Sequence, residues 1–300
     1  MKKILLLLIV VSGFGDSFGQ QTSLYTQYMF NPFMLNPAVA GTTNYFQIRS
    51  TSRFQWAGFT DAPVLNSLSL FGPVSAKNMD MGYGGTVYID ATGPTSRSGI
   101  RGAFAYNIPL NDEIHLSFGA ALGMMQFKID GTQITGMKDE EPAGSDVHTV
   151  QSFYQPDGMV GVYLYRTDFQ ISLSADNLFN NKFDIDPQAV GISKLKRNYY
   201  LLGAYTYIFN RTWSAEASTI FKAVTPVPVQ MDINARLIYQ KTAWFGISFR
   251  TQEAISVLAG YIFSKRIFVG YSFDYNLTAI QQYSLGSHEI MLGYRFNSLK

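Results

Sequence analysis

The chain has 300 residues, of which 47 % are hydrophobic, 15 % aromatic and only 15 % charged, with no cysteine and a formal net charge of +2. Soluble domains carry about 25 % charged residues. Few charges, 23 Phe and 19 Tyr are compatible with a mean hydropathy of +0.02 only if apolar and polar residues alternate and cancel. The missing cysteines exclude a disulfide scaffold, thiolate metal sites and cysteine nucleophiles. The small net charge gives no reason to expect nucleic acid as a partner.

In chain order, Met1-Lys2-Lys3 is a short basic region followed by the apolar run Ile4 to Val11. Ser17 and Gly19 then supply a small-x-small cleavage pattern before Gln20. This layout predicts a secretory signal peptide over residues 1–19, too short in its apolar part to span a bilayer. Residue 20 is not Cys, so no lipidated N-terminus is expected. No later segment reaches the 18 or so consecutive apolar residues of a transmembrane helix. A secreted soluble protein or an outer-membrane barrel remains.

Residues 20–43 show no strand periodicity. Within them, Tyr28-Met29-Phe30-Asn31-Pro32-Phe33-Met34-Leu35-Asn36-Pro37-Ala38 contains two Asn-Pro steps that favour turns. Its prolines make it a poor barrel strand, and it is too apolar for a free linker. It is expected to fold into the lumen or to pack in or across the periplasmic opening, as a plug or lid, with Asn31 and Asn36 holding turns through side-chain-to-backbone bonds. Tyr28, Met29, Phe30, Asn31, Pro32, Asn36 and Pro37 are the candidate plug or partner-contact residues.

From Asn44 to the end at Lys300 the chain alternates with a period of two. Ile267, Val269, Tyr271, Phe273 and Tyr275 share one face, and Phe268, Gly270, Ser272 and Asp274 the other. Fourteen such segments begin near Asn44, Val64, Met81, Arg97, Glu113, Asp157, Asp168, Lys196, Arg211, Pro228, Thr242, Ala254, Arg266 and Ser287. Most run about 9–12 residues, the length of a tilted membrane strand. The weakest are Val64 to Gly72, where Leu65 and Asn66 break phase, and Tyr199 to Tyr207, aromatic on both faces.

Connections after even-numbered segments are mostly tight. Those after odd-numbered ones include the long stretches Arg53 to Pro63, Ile129 to Pro156, Asn177 to Leu195, Lys222 to Val227 and Asn276 to Gly286. Bacterial barrels sort short periplasmic turns from longer extracellular loops in this way, whereas a soluble sandwich has no reason to. The fold class predicted is therefore all-β, a transmembrane antiparallel barrel of about 14 strands over residues 44–300, with both termini periplasmic. The polar faces carry both charge signs: Arg49, Asp90, Arg101, Asp176, Glu216, Asp232, Arg236, Arg250, Asp274, Glu289 and Arg295. Either they line a charged conduit or, as we expect, they pair across the lumen, with Arg236, Asp232, Arg250, Asp274, Glu289 and Arg295 as the central network.

Catalytic motifs are not evident. His115, His148 and His288 are the only histidines, and His288 and Glu289, adjacent on a strand, point to opposite faces. The acidic run Lys138-Asp139-Glu140-Glu141 reads as a solvated loop. Asp184-Ile185-Asp186 opens like a calcium loop but lacks the following Gly and bidentate Glu. No metal, cofactor or catalytic residue is assigned.

The block Tyr28 to Gly41 resembles the opening of the PorP/SprF family of type IX secretion outer-membrane proteins. So do Trp56-Ala57-Gly58-Phe59 with Ala62-Pro63, Asp90 to Thr95, Ser248 to Thr251, Gly270 to Tyr275 and Gly286 to Phe296. Asp61 stands where the family pattern has Gly. The resemblance implies a non-enzymatic partner in the export or surface anchoring of a cargo protein bearing a C-terminal targeting domain, including gliding adhesins. The implied partners are that cargo, other secretion components and outer-membrane lipid. The alternative reading is an uptake channel of porin or fatty-acid-transporter type.

Overall fold

A computed structural model describes residues 24–74, 80–133, 149–179 and 195–297. The predicted signal peptide, His148 and the Lys138–Glu141 and Asp184–Asp186 motifs lie outside these residues. Fourteen antiparallel strands close into one barrel in which every strand pairs with its sequence neighbours and β1 pairs with β14. They are β1 (Phe46–Phe54), β2 (Val64–Pro73), β3 (Met81–Thr92), β4 (Thr95–Pro109), β5 (His115–Asp130), β6 (Val150–Tyr165), β7 (Phe169–Asp176), β8 (Asn198–Ile208), β9 (Trp213–Val224), β10 (Val227–Tyr239), β11 (Ala243–Arg250), β12 (Ala254–Phe263), β13 (Ile267–Asn276) and β14 (Ser287–Phe296). The seam runs from Phe46 opposite Phe296 to Phe54 opposite His288. Closure leaves no strand edge with unpaired backbone groups in hydrocarbon. No helix among the described residues is long and apolar enough to cross a membrane.

The pleat sorts the side chains as the alternation requires. On β13, Phe268, Gly270, Ser272, Asp274 and Asn276 are buried inward while Tyr271 and Tyr275 are exposed on the outside. On β11 the outer face carries Phe245, Ile247 and Phe249, the inner face Trp244, Gly246, Ser248 and Arg250. The outer wall is an apolar band of the kind that faces lipid.

Three boundaries differ from those read in the sequence. Strand β6 begins at Val150, ahead of the expected Asp157, and pairs with β5 out to Val150 opposite Asp130. Its first residues put Ser152 and Pro156 on the outer face and Phe153 on the inner one, which blurs the apolar contrast that a lipid-facing pleat imposes. The stretch Lys222 to Val227, expected as a long loop, is a tight turn because Val224 pairs with Val227. Arg53, expected to open the first loop, is an inward residue of β1.

The connections at 55–63, 131–149, 177–197 and 277–286 all leave the same barrel end, the long-loop end, where the tight turns 93–94, 225–226 and 251–253 also lie. The opposite, short-turn end carries 74–80, 110–114, 166–168, 209–212, 240–242 and 264–266. Two long-loop-end connections are laced together, the Ala57 N–H donating to the Gly286 carbonyl and the Leu285 N–H to the Ala57 carbonyl, each at 2.8 Å.

The sorted faces make a direct prediction. Ile247→Arg puts a charge on the lipid-facing band and should destabilise the barrel by about 2–4 kcal/mol if Ile247 lies near the bilayer midplane. Urea unfolding of vesicle-reconstituted protein measures it. Ile247→Arg as stable as the wild type would show that this face does not contact hydrocarbon.

Candidate functional site

The residues before β1 do not lie across one mouth. They run along the inside of the barrel from Leu24, among residues of the long-loop half, to Gly41, beside Gly82 at the start of β3 near the short-turn end. Three 3-10 turns, Tyr28–Phe30, Pro32–Met34 and Pro37–Val39, fold the segment. Pro32 and Pro37 each open one of these turns, where a missing N–H costs nothing. Asn36 caps the third: its Oδ1 accepts the Ala38 N–H at 2.9 Å. Its Nδ2 reaches the wall, donating to Ser172 Oγ at 2.8 Å and the Val162 carbonyl at 2.9 Å. Asn31 makes no such cap, contrary to expectation. Its amide instead exchanges hydrogen bonds with the Ser69 hydroxyl of β2, at 2.9 and 3.1 Å.

The apolar residues of the segment leave water against inward-facing apolar residues of the wall. Tyr28 and Met29 pack with Leu24 on Tyr200, Leu202 and Ile220 of β8 and β9. Phe30 lies 4.7 Å from Trp244 and 4.9 Å from Phe268 between ring centroids, with the Arg236 guanidinium 4.3 Å from its own. Phe33 stacks on Phe71 at 4.4 Å. The wall has also given up side chains to admit the segment. A Cβ on Gly161 would stand 2.0 Å from Asn36 Oδ1, and one on Gly119 2.2 Å from the Ala38 nitrogen. A Cβ on Gly82 would collide with the Ala40 backbone at 2.2 Å, and one on Gly270 would push aside the Gln27 amide oxygen at 2.3 Å. These approaches are closer than any real Cβ allows, so wall and segment fit only as a pair.

Near its beginning the segment is fastened by charge. The Thr26 and Gln27 N–H groups donate to the two Glu289 carboxylate oxygens at 2.7 and 2.8 Å. The Thr26 hydroxyl donates to Asp274 Oδ2 at 2.8 Å. Arg53 Nη1 sits among them, 2.6 Å from Asp274, 3.4 Å from Glu289 and 2.6 Å from Thr26 Oγ1. Arg53, Asp274 and Glu289 are all at most 1 % exposed. Glu253 continues the chain: it lies 3.9 Å from Arg53 and 2.9 Å from Arg250, which also grips Asp232 at 2.9 Å.

Asp232, Arg250, Asp274 and Glu289 thus belong to one network, joined through Arg53 and Glu253, which the alternation pattern did not single out. Arg236 stands apart and pairs with Glu216 at 2.7 Å. Arg101 bridges Asp157 and Asp176 at 2.6 and 2.7 Å on the opposite wall. Arg295, expected in the network, is not in it. Its guanidinium lies 5.0 Å from the Tyr45 ring centroid and makes no ion pair among the described residues. Arg53 was hidden because it falls at the end of β1, and Glu253 because it sits in a tight turn.

A closed antiparallel sheet with an apolar outer band and a polar, ion-paired lumen is an integral outer-membrane β-barrel protein. Solved structures of this architecture include a FadL homologue from Pseudomonas aeruginosa, 11 % identical over 88 % of this chain and 93 % of that one, with a TM-score of 0.51. The CymD monoaromatic hydrocarbon channel is 12 % identical over 93 % and 94 %, TM-score 0.52. The toluene transporter TodX of Pseudomonas putida is 10 % identical over 93 % and 96 %, TM-score 0.50. At such identities the likeness is one of fold. No curated protein sequence matches the chain. The chain belongs to the PorP/SprF family of type IX secretion system membrane proteins, whose model matches residues 17–294. Asp61 adopts the left-handed backbone at φ +58°, a conformation that Asp tolerates better than most residues.

Removing Arg53 would leave Asp274 and Glu289 buried without their counter-charge. Arg53→Gln should therefore cost about 3–5 kcal/mol, read as a lowered urea midpoint. Gly161→Val should displace Asn36 from its socket, so limited proteolysis would cut the 24–41 segment while the strands stay protected. Unchanged protection of that segment would contradict the fit described here.

Proposed function

We propose that this protein is a non-enzymatic docking barrel of the type IX secretion system that supports export or surface anchoring of a cargo protein with a C-terminal targeting domain, with gliding adhesins as one such cargo. The observation that carries this reading is the occupied lumen: the Leu24–Gly41 segment is bonded to β2, β6, β7, β13 and β14 from inside and seated against wall glycines. A wall shaped around its own chain suits a plugged scaffold better than an open conduit. Family membership supplies the secretion context.

In this reading the long-loop end faces outward and receives the cargo, the short-turn end faces the periplasm, and outer-membrane lipid covers the apolar band. The Tyr28–Pro37 residues act as plug, with their side chains turned to the wall and away from any partner. The ion pairs brace the barrel and hold the plug.

Two measurements test the proposal. Planar-bilayer recordings of the purified wild type should show no stable opening of porin size, and deletion of Tyr28 to Ala40 should raise conductance while the protein stays heat-modifiable. A pull-down from detergent-solubilised outer membrane should bring down a secreted protein with a C-terminal targeting domain. A wild-type pore of porin size with no such partner would favour the uptake channel instead.

A further inference from the structure

Beside the plug, in the long-loop half of the lumen, a cavity of about 100 Å³ lies between the Leu24–Leu35 part of the segment and the walls of β2–β5, β7 and β8. One side is apolar and buried, Leu24, Leu65, Met125 and Leu195 with the Tyr200 ring, and beside it lies the Arg101–Asp176 ion pair, whose charges are already matched. Two charged residues of its lining, Asp90 and Arg97, are only half-buried. They face each other as register partners on β3 and β4.

Elsewhere in the lumen, Arg53, Arg101, Arg236 and Arg250 meet carboxylates at 2.6–2.9 Å, while Arg49 and Arg295 face aromatic rings. Asp90 and Arg97 do not meet in this way. Neither makes an ion pair or a side-chain hydrogen bond among the described residues, and the Arg97 guanidinium stands 5.8 Å from the Phe127 ring centroid. An anion and a cation on adjacent strands that attract each other without closing an ion pair, at the rim of a partly apolar hollow, offer one site to an ammonium and one to a carboxylate, spaced by a single cross-strand step. The hollow offers room for a short hydrocarbon chain, being somewhat smaller than the roughly 150 Å³ cavity that accepts benzene.

We propose that this cavity binds a small zwitterion with an apolar side chain, a free α-amino acid of about leucine size. Its carboxylate pairs with Arg97, its ammonium with Asp90, and its side chain enters the hollow between Leu65, Met125 and Leu195. A neutral hydrocarbon would leave both charged groups without a hydrogen-bonding partner, and a molecule with one charge would leave one of them facing an apolar body. The inference stands apart from the docking role, since it concerns a pocket that the plug helps to wall and not the cargo.

Equilibrium dialysis of the full-length protein in nanodiscs against L-norleucine, hexanoate and hexylamine tests it. Norleucine should bind, and each singly charged analogue should bind about tenfold more weakly or worse. Arg97→Gln and Asp90→Asn should each lower norleucine affinity by about tenfold while leaving heat-modifiable mobility intact, because neither residue takes part in the bracing ion pairs. Absence of norleucine binding to the wild type, equal binding of hexanoate, or unchanged affinity in both variants would each overturn the assignment. Should a variant fail to fold, the wild-type comparison of the three probes decides alone.

Discussion

A sheet of fourteen strands closed on itself encloses more space than its inward side chains can fill. Eight strands give an interior that side chains pack, and sixteen to eighteen leave an aqueous channel. This barrel falls between those cases and meets the problem with its own chain. The Leu24–Gly41 segment occupies the lumen, and much of the inner wall can be understood as the surface that receives it. Phe71, Tyr200, Leu202, Ile220, Trp244 and Phe268 are apolar residues on a polar face because the segment brings its own apolar residues to them. The glycines at 82, 119, 161 and 270 leave the space that the backbone and side chains of the segment occupy.

The ion pairs follow from the same enclosure. With the lumen filled, the inward carboxylates and guanidiniums lose water, and an isolated charge there would be costly. Among the described residues, most of them meet a partner of opposite sign or an aromatic face. Arg49 illustrates the second solution: without an ion pair among the described residues, it bonds Gln47 at 3.0 Å and lies 4.4 Å from the Phe268 centroid. The Arg53–Asp274–Glu289 group does more than neutralise charge. Glu289 accepts the backbone N–H groups of Thr26 and Gln27, so this part of the segment is held by a buried carboxylate. Toward Gly41 the segment continues covalently into β1.

Much of this was legible in the sequence, and the reason is the membrane. Lipid on one side and lumen on the other impose a strict period of two, which fixed the number of strands and placed nearly all their starts within a few residues. Where hydrocarbon does not bear on the strand, as in the first turns of β6, the period loses its contrast and the boundary slipped. The exceptions to the pattern carried information too. Phe268 on the face of Ser272 and Asp274, or Met291 beside Glu289, break the polar face of their strands at places that lie against the Leu24–Gly41 segment or its aromatic partners. Leu65, which breaks phase in β2, lines the cavity beside that segment.

The sequence by itself determined the wall: its strand number, its two faces, and the separate character of the proline-bearing segment before it. Those are local properties, set by side-chain alternation and by the inability of proline to donate a ladder hydrogen bond. Only the tertiary structure decided which charges meet and where the segment goes. Arg53 lies 221 positions from Asp274 in the chain, and Asn36 reaches Ser172 across 136. Such pairings arise from barrel closure and register, which bring distant strands around a common interior, and no period within one strand encodes them.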